Sequence, residues 1–141
     1  MDKRIFFLIV KAEQAITSYF RQQLGMEGLT VTPGQTGILY LLEKGGKMRM
    51  SELSSSLEMD NSAATRIVDR LERSGFVRRE LNLNDRREFH VMITDQGLKE
   101  IKKTKSTVRS MNKKIEAEFS EEELEIFRKN LVRMKEIFRG K

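Results

Sequence analysis

Hydrophobic residues recur with helical spacing over most of the chain, and charged residues fill the positions between them. The pattern predicts a first helix over 1–24, ended by Gly25 and Gly28. It also predicts a fifth helix that is capped by Thr94-Asp95 and runs to about residue 118. Apolar residues surround much of the first helix, which a surface helix of a monomer seldom shows. This helix therefore needs two buried faces, one in its own subunit and one against a partner.

The middle of the chain is predicted to form three helices joined by tight connections. A capping box over 32–35 starts the second helix, and Gly45-Gly46 ends it. A short third helix starts at Ser51, and Asp60 caps a fourth helix over 61–74. A short helix, a three-residue turn and a longer helix have the proportions of a helix-turn-helix.

The apolar period changes to two after Gly75. Alternation over 77–81 and again over 89–93 predicts two strands. The connection over 82–87 is polar and turn-forming, and it ends in two arginines. A hairpin with a basic tip therefore follows the helix-turn-helix in the position of a wing.

These elements define a mainly α fold in a single domain over 1–141. A winged helix-turn-helix core spans 32–94, and helical dimerisation regions span 1–31 and 95–141. A full capping box over 120–123 starts the sixth helix. The first, fifth and sixth helices carry more apolar surface than one core of this size needs, so they are expected to pack across a two-fold axis in a homodimer.

The fourth helix has the composition of a DNA recognition helix. Its apolar residues share one face, and its other face carries small hydrogen-bonding residues and arginines. Arg66 and Arg70 can reach guanine edges or phosphates, and Ser62 and Thr65 can bond to either. A methyl group of Ala63 or Thr65 can touch a thymine methyl.

Two other places offer contacts to a duplex. Arg86 and Arg87 at the hairpin tip can enter a narrow minor groove, where negative potential is concentrated. Ser51 can present its hydroxyl and nearby amides to a phosphate. The basic run over 102–105 is expected to be a solvated helix face.

The net charge of +6 and the pI of about 9.7 favour an anionic partner. The charge is unevenly placed, because the stretch 51–94 holds seven arginines and eight acidic residues, a net charge of −1. The excess positive charge lies largely after residue 94. Overall charge therefore does not locate the part of the chain that would bind DNA, whereas the arginines around the hairpin do.

Other totals narrow the class of protein. There is no cysteine, so disulfides and thiol chemistry are excluded. No apolar run approaches the roughly 18 residues of a membrane span, and no signal peptide is expected. The sequence predicts a reduced, cytoplasmic protein with no membrane partner.

Three alternatives compete with a sequence-specific regulator. Catalysis would need a base, and His90 is the single histidine, with no phosphate-binding glycine loop in the chain. No enzyme activity, cofactor or metal site is therefore expected. An architectural DNA protein would usually carry apolar wedges and lysines. A winged module for protein contacts alone would not need arginines at its tip.

Two motifs resemble the MarR family of bacterial and archaeal transcriptional regulators. The segment SAATRIVDRLERSGFVRR over 62–79 is similar to that family's recognition helix and first wing strand. The segment DRREFHVMITDQG over 85–97 is similar to its second strand and the Thr-x-x-Gly that opens the long helix. The resemblance covers essentially the whole chain.

The resemblance implies a homodimeric winged-helix repressor on a pseudo-palindromic double-stranded DNA operator. By position, Ser62, Ala63, Thr65 and Arg66 would face bases, with Asn61 at the helix start. Arg87 would enter the minor groove, and Asp85 would orient the wing through a salt bridge.

Many family members bind small aromatic or phenolic effectors between the dimerisation helices and the winged core. Effector residues are not transferable, so whether this chain binds such a ligand stays open. The lack of cysteine excludes the family's cysteine peroxide sensing, and a single histidine disfavours its zinc sensing.

Overall fold

The computed structural model describes residues 3–84 and 87–139 of the 141. Within these ranges it contains six helices and one small three-stranded sheet, so the mainly α prediction is confirmed. The elements in chain order are α1 Ile5–Met26, α2 Pro33–Gly45, β1 Met48–Arg49, α3 Met50–Ser56, α4 Asn61–Arg73, β2 Val77–Leu81, β3 Phe89–Ile93, α5 Asp95–Glu118 and α6 Glu121–Arg139.

The chain divides into two compact units, residues 1–107 and residues 108–141. The first unit holds the helix-turn-helix and the hairpin, and the second holds α6 and the end of α5. None of the helices in the described ranges is long and apolar enough to cross a membrane.

The core of the first unit lies between α2, α3, α4 and the sheet. On α4 the predicted apolar face is inside, since Ala64, Val68 and Leu71 have no exposed surface. Full burial of a side chain such as Val68 or Leu71 contributes roughly 1.5–3 kcal/mol. Buried partners from the surrounding elements are Ile38, Leu39, Leu42, Leu53, Val77, Val91 and Ile101.

The sheet has the order β1-β3-β2 and is antiparallel throughout. In the hairpin, Val77 pairs with Ile93 and Leu81 pairs with Phe89. The two hairpin strands match the predicted ones. Strand β1 was not predicted, because two residues are too short to show a period, and their pairing with β3 is a tertiary event.

Helix ends follow the predicted capping chemistry in most places. The Thr32 hydroxyl accepts the Gln35 N–H at 3.2 Å, and the Gln35 side chain accepts the Thr32 N–H at 3.0 Å. Asp60 Oδ1 accepts the Ala63 N–H at 2.7 Å. Gly75 adopts the left-handed conformation that closes α4, with φ +83°.

Two predicted helix boundaries were wrong. Helix α1 continues through Gly25 to Met26, so of the two glycines predicted to end it only Gly28 does so, with the left-handed φ of +73°. An internal glycine costs a helix only about 1 kcal/mol, so Gly25 does not stop it. Helix α3 begins at Met50 with Arg49 as its N-cap, because Glu52 accepts the Arg49 N–H at 3.1 Å. Ser51 therefore lies in the first turn of α3 rather than at its cap.

The junction before α5 explains the Thr-x-x-Gly motif. The Thr94 hydroxyl donates to the Gly75 carbonyl at 2.6 Å and accepts the Gly97 N–H at 3.1 Å. A Cβ on Gly97 would lie 2.2 Å from the Phe76 carbonyl oxygen. Threonine thus joins the end of α4 to the start of α5, and only glycine leaves room for the Phe76 backbone.

The face of α5 that packs inward combines apolar and polar side chains. Ile101 is buried and Leu98 is exposed, and Thr104 and Thr107 are buried together with Ile101. The basic run is not fully solvated, because Thr104 has no exposed surface and Lys105 forms an ion pair with Glu43. A threonine can take such a core position because its hydroxyl donates to a carbonyl of its own helix, here that of Glu100 at 2.8 Å.

Large apolar side chains remain exposed on α1 and α6. On α1 only Phe20 and Leu24 are buried, and on α6 only Leu124 is buried. The Phe119 and Phe127 rings stack within the second unit, with centroids 6.2 Å apart. The exposed apolar residues of these two helices are Ile5, Phe6, Phe7, Leu8, Ile9, Ile16, Met26, Ile126, Phe127, Leu131, Val132, Ile137 and Phe138.

Candidate nucleic-acid interface

The start of α4 presents hydroxyl groups whose protons are already engaged. The Ser62 hydroxyl donates to Asp60 Oδ1 at 2.9 Å, and the Thr65 hydroxyl donates to the Asn61 carbonyl at 2.7 Å. In this arrangement both oxygens can accept a hydrogen bond from outside but cannot donate one. Their base partners would therefore be the amino groups of adenine or cytosine in the major groove.

Asp60 supports this arrangement as a charged cap. The pKa of its carboxyl is held below its usual value, mainly by the Ala63 N–H, then by the Ser62 hydroxyl and the nearby Arg66 charge. Asp60 is therefore ionised at neutral pH. It fixes the first turn of α4 through its hydrogen bond to the Ala63 N–H.

Arg66 and Arg70 are both exposed on α4. Neither forms an ion pair with any residue in the ranges 3–84 and 87–139. Asp69 lies about one helical turn from both Arg66 and Arg73, but its carboxylate pairs with Arg79. Arg66 and Arg70 thus keep their guanidinium groups available for phosphates or guanine edges.

Arg79 joins β2 to α4 through two ion pairs that the sequence pattern did not indicate. Its Nη2 lies 2.5 Å from Asp69 Oδ1, and its Nη1 lies 2.8 Å from Glu72 Oε1. Glu72 Oε2 also accepts the Arg79 backbone N–H at 3.2 Å. Strand β2 is thus tied to the exposed side of α4, which fixes the angle of the wing against the recognition helix.

Asn61 connects the two helices of the helix-turn-helix. Its side-chain oxygen accepts a hydrogen bond from the buried Ser54 hydroxyl at 2.5 Å. The amide nitrogen is the part of Asn61 that remains to donate to DNA. This contact holds the start of α4 against α3.

Ser51 lies beside the base of the wing. Its hydroxyl donates to Glu88 Oε1 at 3.1 Å, and Glu88 Oε2 lies 3.6 Å from Arg49 Nη1. Arg49 is also 2.9 Å from Glu52 through its Nε. The Ser51 hydroxyl, which was predicted to contact a phosphate, is therefore already hydrogen-bonded to a carboxylate of the same chain.

The tip of the wing is described only in part. Arg87 is exposed and directly precedes the end of the hairpin connection. Leu83 has 91% of its surface exposed, an apolar tip residue that the sequence analysis did not single out. Asp85 and Arg86 lie outside the described residues, so the predicted Asp85 salt bridge stays a prediction.

One cavity in the first unit lies along α1 and the connection to α2. Its volume is about 320 Å³. Its lining combines buried apolar side chains with Arg21 and three threonines. The lining residues are Thr17, Phe20, Arg21, Leu24, Gly25, Leu29, Thr30, Val31, Thr32 and Pro33. Over 3–84 and 87–139 there is no group of three or more His, Asp or Glu side chains that could hold a metal.

A helix-turn-helix with exposed arginines, followed by a hairpin wing in a three-stranded sheet, defines a winged-helix DNA-binding protein. A family model described as "MarR family" matches residues 31–89. The transcriptional regulator BilQ of Clostridioides difficile is 30% identical over 107 residues, which cover 76% of this chain and 72% of BilQ. The chain belongs to the MarR family of transcriptional regulators.

Two further comparisons agree with this assignment. The transcriptional repressor MdtR of Bacillus subtilis is 39% identical over 72 residues, which cover 51% of this chain and 46% of MdtR. The match thus spans about half the length of MdtR. The crystal structure of the S. aureus MepR–DNA complex is similar with a TM-score of 0.82 and 20% identity, covering 94% of this chain and 96% of that chain. This last likeness concerns the fold.

Proposed function

We propose that this chain is a cytoplasmic repressor that binds a pseudo-palindromic double-stranded DNA operator as a homodimer and carries out no catalysis. The observation that carries the proposal is that the exposed helix and the wing are joined. Helix α4 exposes Arg66 and Arg70, and Arg79 holds wing strand β2 against the same helix. A duplex could therefore meet both parts in one fixed geometry.

The proposed contacts divide by groove. Asn61, Ser62, Ala63, Thr65 and Arg66 would face base edges in the major groove, and Arg70 would reach a phosphate or a guanine. The wing would extend toward the adjacent minor groove, with Arg86 and Arg87 entering it and Asp85 orienting them. Ser51 would approach the phosphate backbone between the two.

Dimerisation is supported by the exposed apolar residues of α1 and α6. The side chains of Phe6, Phe127 and Leu131 are 68%, 53% and 49% exposed. Apolar surface of this extent on an isolated chain marks an interaction site. A two-fold dimer would cover it and would place two α4 helices in successive major grooves, about 10 base pairs apart.

Release by a small aromatic or phenolic effector is the remaining part of the proposal. The cavity beside α1 has a volume within the usual range for small-molecule sites, roughly 300–1,000 Å³. The cavity has mostly apolar walls and Arg21 in its lining, which suits an aromatic ring that carries an acidic group. Binding there would shift the chain between states with different spacing of the two α4 helices.

The test is selection of bound duplexes from a random DNA library, followed by titration of the selected operator and a shuffled duplex at one salt concentration. A regulator is expected to enrich a two-fold-related site and to prefer it over the shuffled duplex by roughly 10³-fold or more. Equal affinity for the two duplexes would support an architectural protein. Absence of binding to either duplex would reject DNA recognition.

A further inference from the structure

Glu88 lies where the wing meets α3 and is held there by the hairpin itself. Its backbone carbonyl accepts the Asn82 N–H at 3.3 Å, which closes the wing just before β3. Strand β1 lies beside the start of β3, because Arg49 of β1 pairs with His90 of β3. The Glu88 side chain is therefore presented to the residues that join β1 to α3.

Both oxygens of the Glu88 carboxylate are occupied. Oε1 accepts the Ser51 hydroxyl at 3.1 Å, and Oε2 lies 3.6 Å from the Arg49 guanidinium. A carboxylate held by a hydroxyl and a guanidinium has the same recognition chemistry as a DNA phosphate oxygen, which serine and arginine also bind. The side chain is 30% exposed, so solvent and ligands reach it.

We infer that Glu88 is an intrachain competitor for the DNA backbone: its carboxylate holds the Ser51 hydroxyl and the Arg49 guanidinium that a phosphate would otherwise take. The inference rests on the proposed function, since it concerns the same face that would meet the duplex. Binding of a phosphate at Ser51 requires displacement of Glu88, and the two negative charges repel each other at short range. Glu88 thus lowers affinity for all DNA equally, because a phosphate contact carries no sequence information.

The decisive variant is Glu88→Gln, which keeps the size of the side chain and removes its charge. Fluorescence anisotropy is measured with the full chain, a labelled selected operator and a labelled shuffled duplex, over a range of salt concentrations. Affinity for both duplexes is expected to rise by the same factor, roughly tenfold at low salt. The slope of log affinity against log salt is expected to steepen by about 0.9, the contribution of one added phosphate contact.

Glu80→Gln is the matched control, because it removes one charge from the same hairpin. Glu80 pairs with Lys47 at 3.2 Å and does not contact Ser51 or Arg49. It is expected to give a much smaller gain. The second control is made in the Glu88→Gln background, where Ser51→Ala and Arg49→Gln should each remove part of the gain. Arg49→Gln should also remove the steeper salt slope, because the guanidinium is the group that neutralises a phosphate.

An equal gain from Glu80→Gln would show that general charge, not displacement of Glu88, sets the affinity, and would overturn the inference. So would an unchanged or weakened affinity for Glu88→Gln in a protein that still prefers its operator. Equal affinity of the wild type for the selected operator and the shuffled duplex would instead count against the proposed function. The failure of the inference and the failure of the proposed function are therefore distinguishable.

Discussion

The guanidinium of Arg79 lies 2.5 Å from the carboxylate of Asp69, across the turn that separates wing strand β2 from helix α4. Glu72, one helical turn further along α4, contacts the same guanidinium at 2.8 Å. The Arg79 side chain is only 22% exposed, so water screens these pairs less than a typical surface pair. Strand β2 of the wing is therefore tied to α4 without any contact to a duplex.

Replacing Arg79 by Gln is expected to weaken operator binding by roughly tenfold and to lower the free energy of unfolding by about 1 kcal/mol. Both effects follow from release of the wing and from leaving Asp69 and Glu72 side by side without a cation. Urea unfolding and anisotropy titration measure them. Arg78→Gln is the control, because the Arg78 guanidinium donates to the Met92 sulfur at 4.0 Å and forms no ion pair with the residues in 3–84 and 87–139. Equal affinity of the two variants would show that the clamp does not position the wing.

Replacing Arg87 by Ala is expected to weaken operator binding by roughly 1–3 kcal/mol while the fold persists. The physical reason is loss of a guanidinium from the wing where the minor groove concentrates negative potential. Titration at fixed salt gives the affinity, and circular dichroism reports the fold. Lys129→Ala on the exposed side of α6 serves as a charge-matched control that should bind normally. Unchanged affinity for Arg87→Ala would contradict a DNA-reading wing.

Gly97→Ala is expected to destabilise the protein by more than about 3 kcal/mol, because its Cβ would meet the Phe76 carbonyl oxygen at 2.2 Å and Ile93 at 2.7 Å. Thermal and urea unfolding are the measurements. Gly25→Ala is the contrasting variant, since nothing lies within 4 Å of its Cβ position and it is inside α1. That change should stabilise by roughly 0.5–1 kcal/mol. A fully stable Gly97→Ala protein would show that α5 does not approach the Phe76 backbone as described.

The Asp60 cap is expected to make part of the stability depend on pH. Its pKa is lowered in the folded protein, chiefly by the Ala63 N–H. The contribution is therefore fully present above the ordinary value of 3.8 and is lost as pH falls through the lower folded value. Asp60→Ala should be less stable than the wild type at neutral pH, and the difference should narrow as pH falls through the lowered pKa of folded Asp60. Asp60→Asn keeps an acceptor and should lose less stability on acidification than the wild type.

Equilibrium urea unfolding at neutral and acidic pH measures this difference. A constant gap between the wild type and Asp60→Ala at every pH would show that ionisation of the cap contributes nothing.

The wild-type chain is expected to sediment as a dimer at micromolar concentration, and Leu131→Glu should shift it toward monomer. Leu131 lies on the apolar stripe of α6 and is 49% exposed in the single chain. A charge there would be buried without a partner in the dimer. Lys129→Glu, about 200° around the helix, should leave the dimer intact. Sedimentation of the wild type as a monomer would reject the dimer model.

Local chemistry determined most of the helical framework and the position of the reading helix. The capping box at Thr32, the Asp60 cap and the left-handed Gly75 each depend on neighbours within a few residues, so they were predictable. The period of two over 77–81 and 89–93 likewise located the wing. The Ser51 boundary was placed wrongly because Arg49 is the N-cap of α3, and of the two glycines predicted to end α1 only Gly28 does so.

Contacts between elements were decided only by the tertiary structure. Sequence showed Arg79, Asp69 and Glu72 as separate charges, and their convergence depends on the angle at which β2 leaves α4. Glu88 reaches Ser51 only because β1 pairs with β3, over 37 residues of chain. The spacing of apolar residues in the sequence shows which face of an element is buried, whereas an ion pair between two elements produces no regular spacing. The sequence by itself therefore determined a MarR-like reading helix and wing, and the fold decided how firmly the two are joined and which of their polar groups are already engaged.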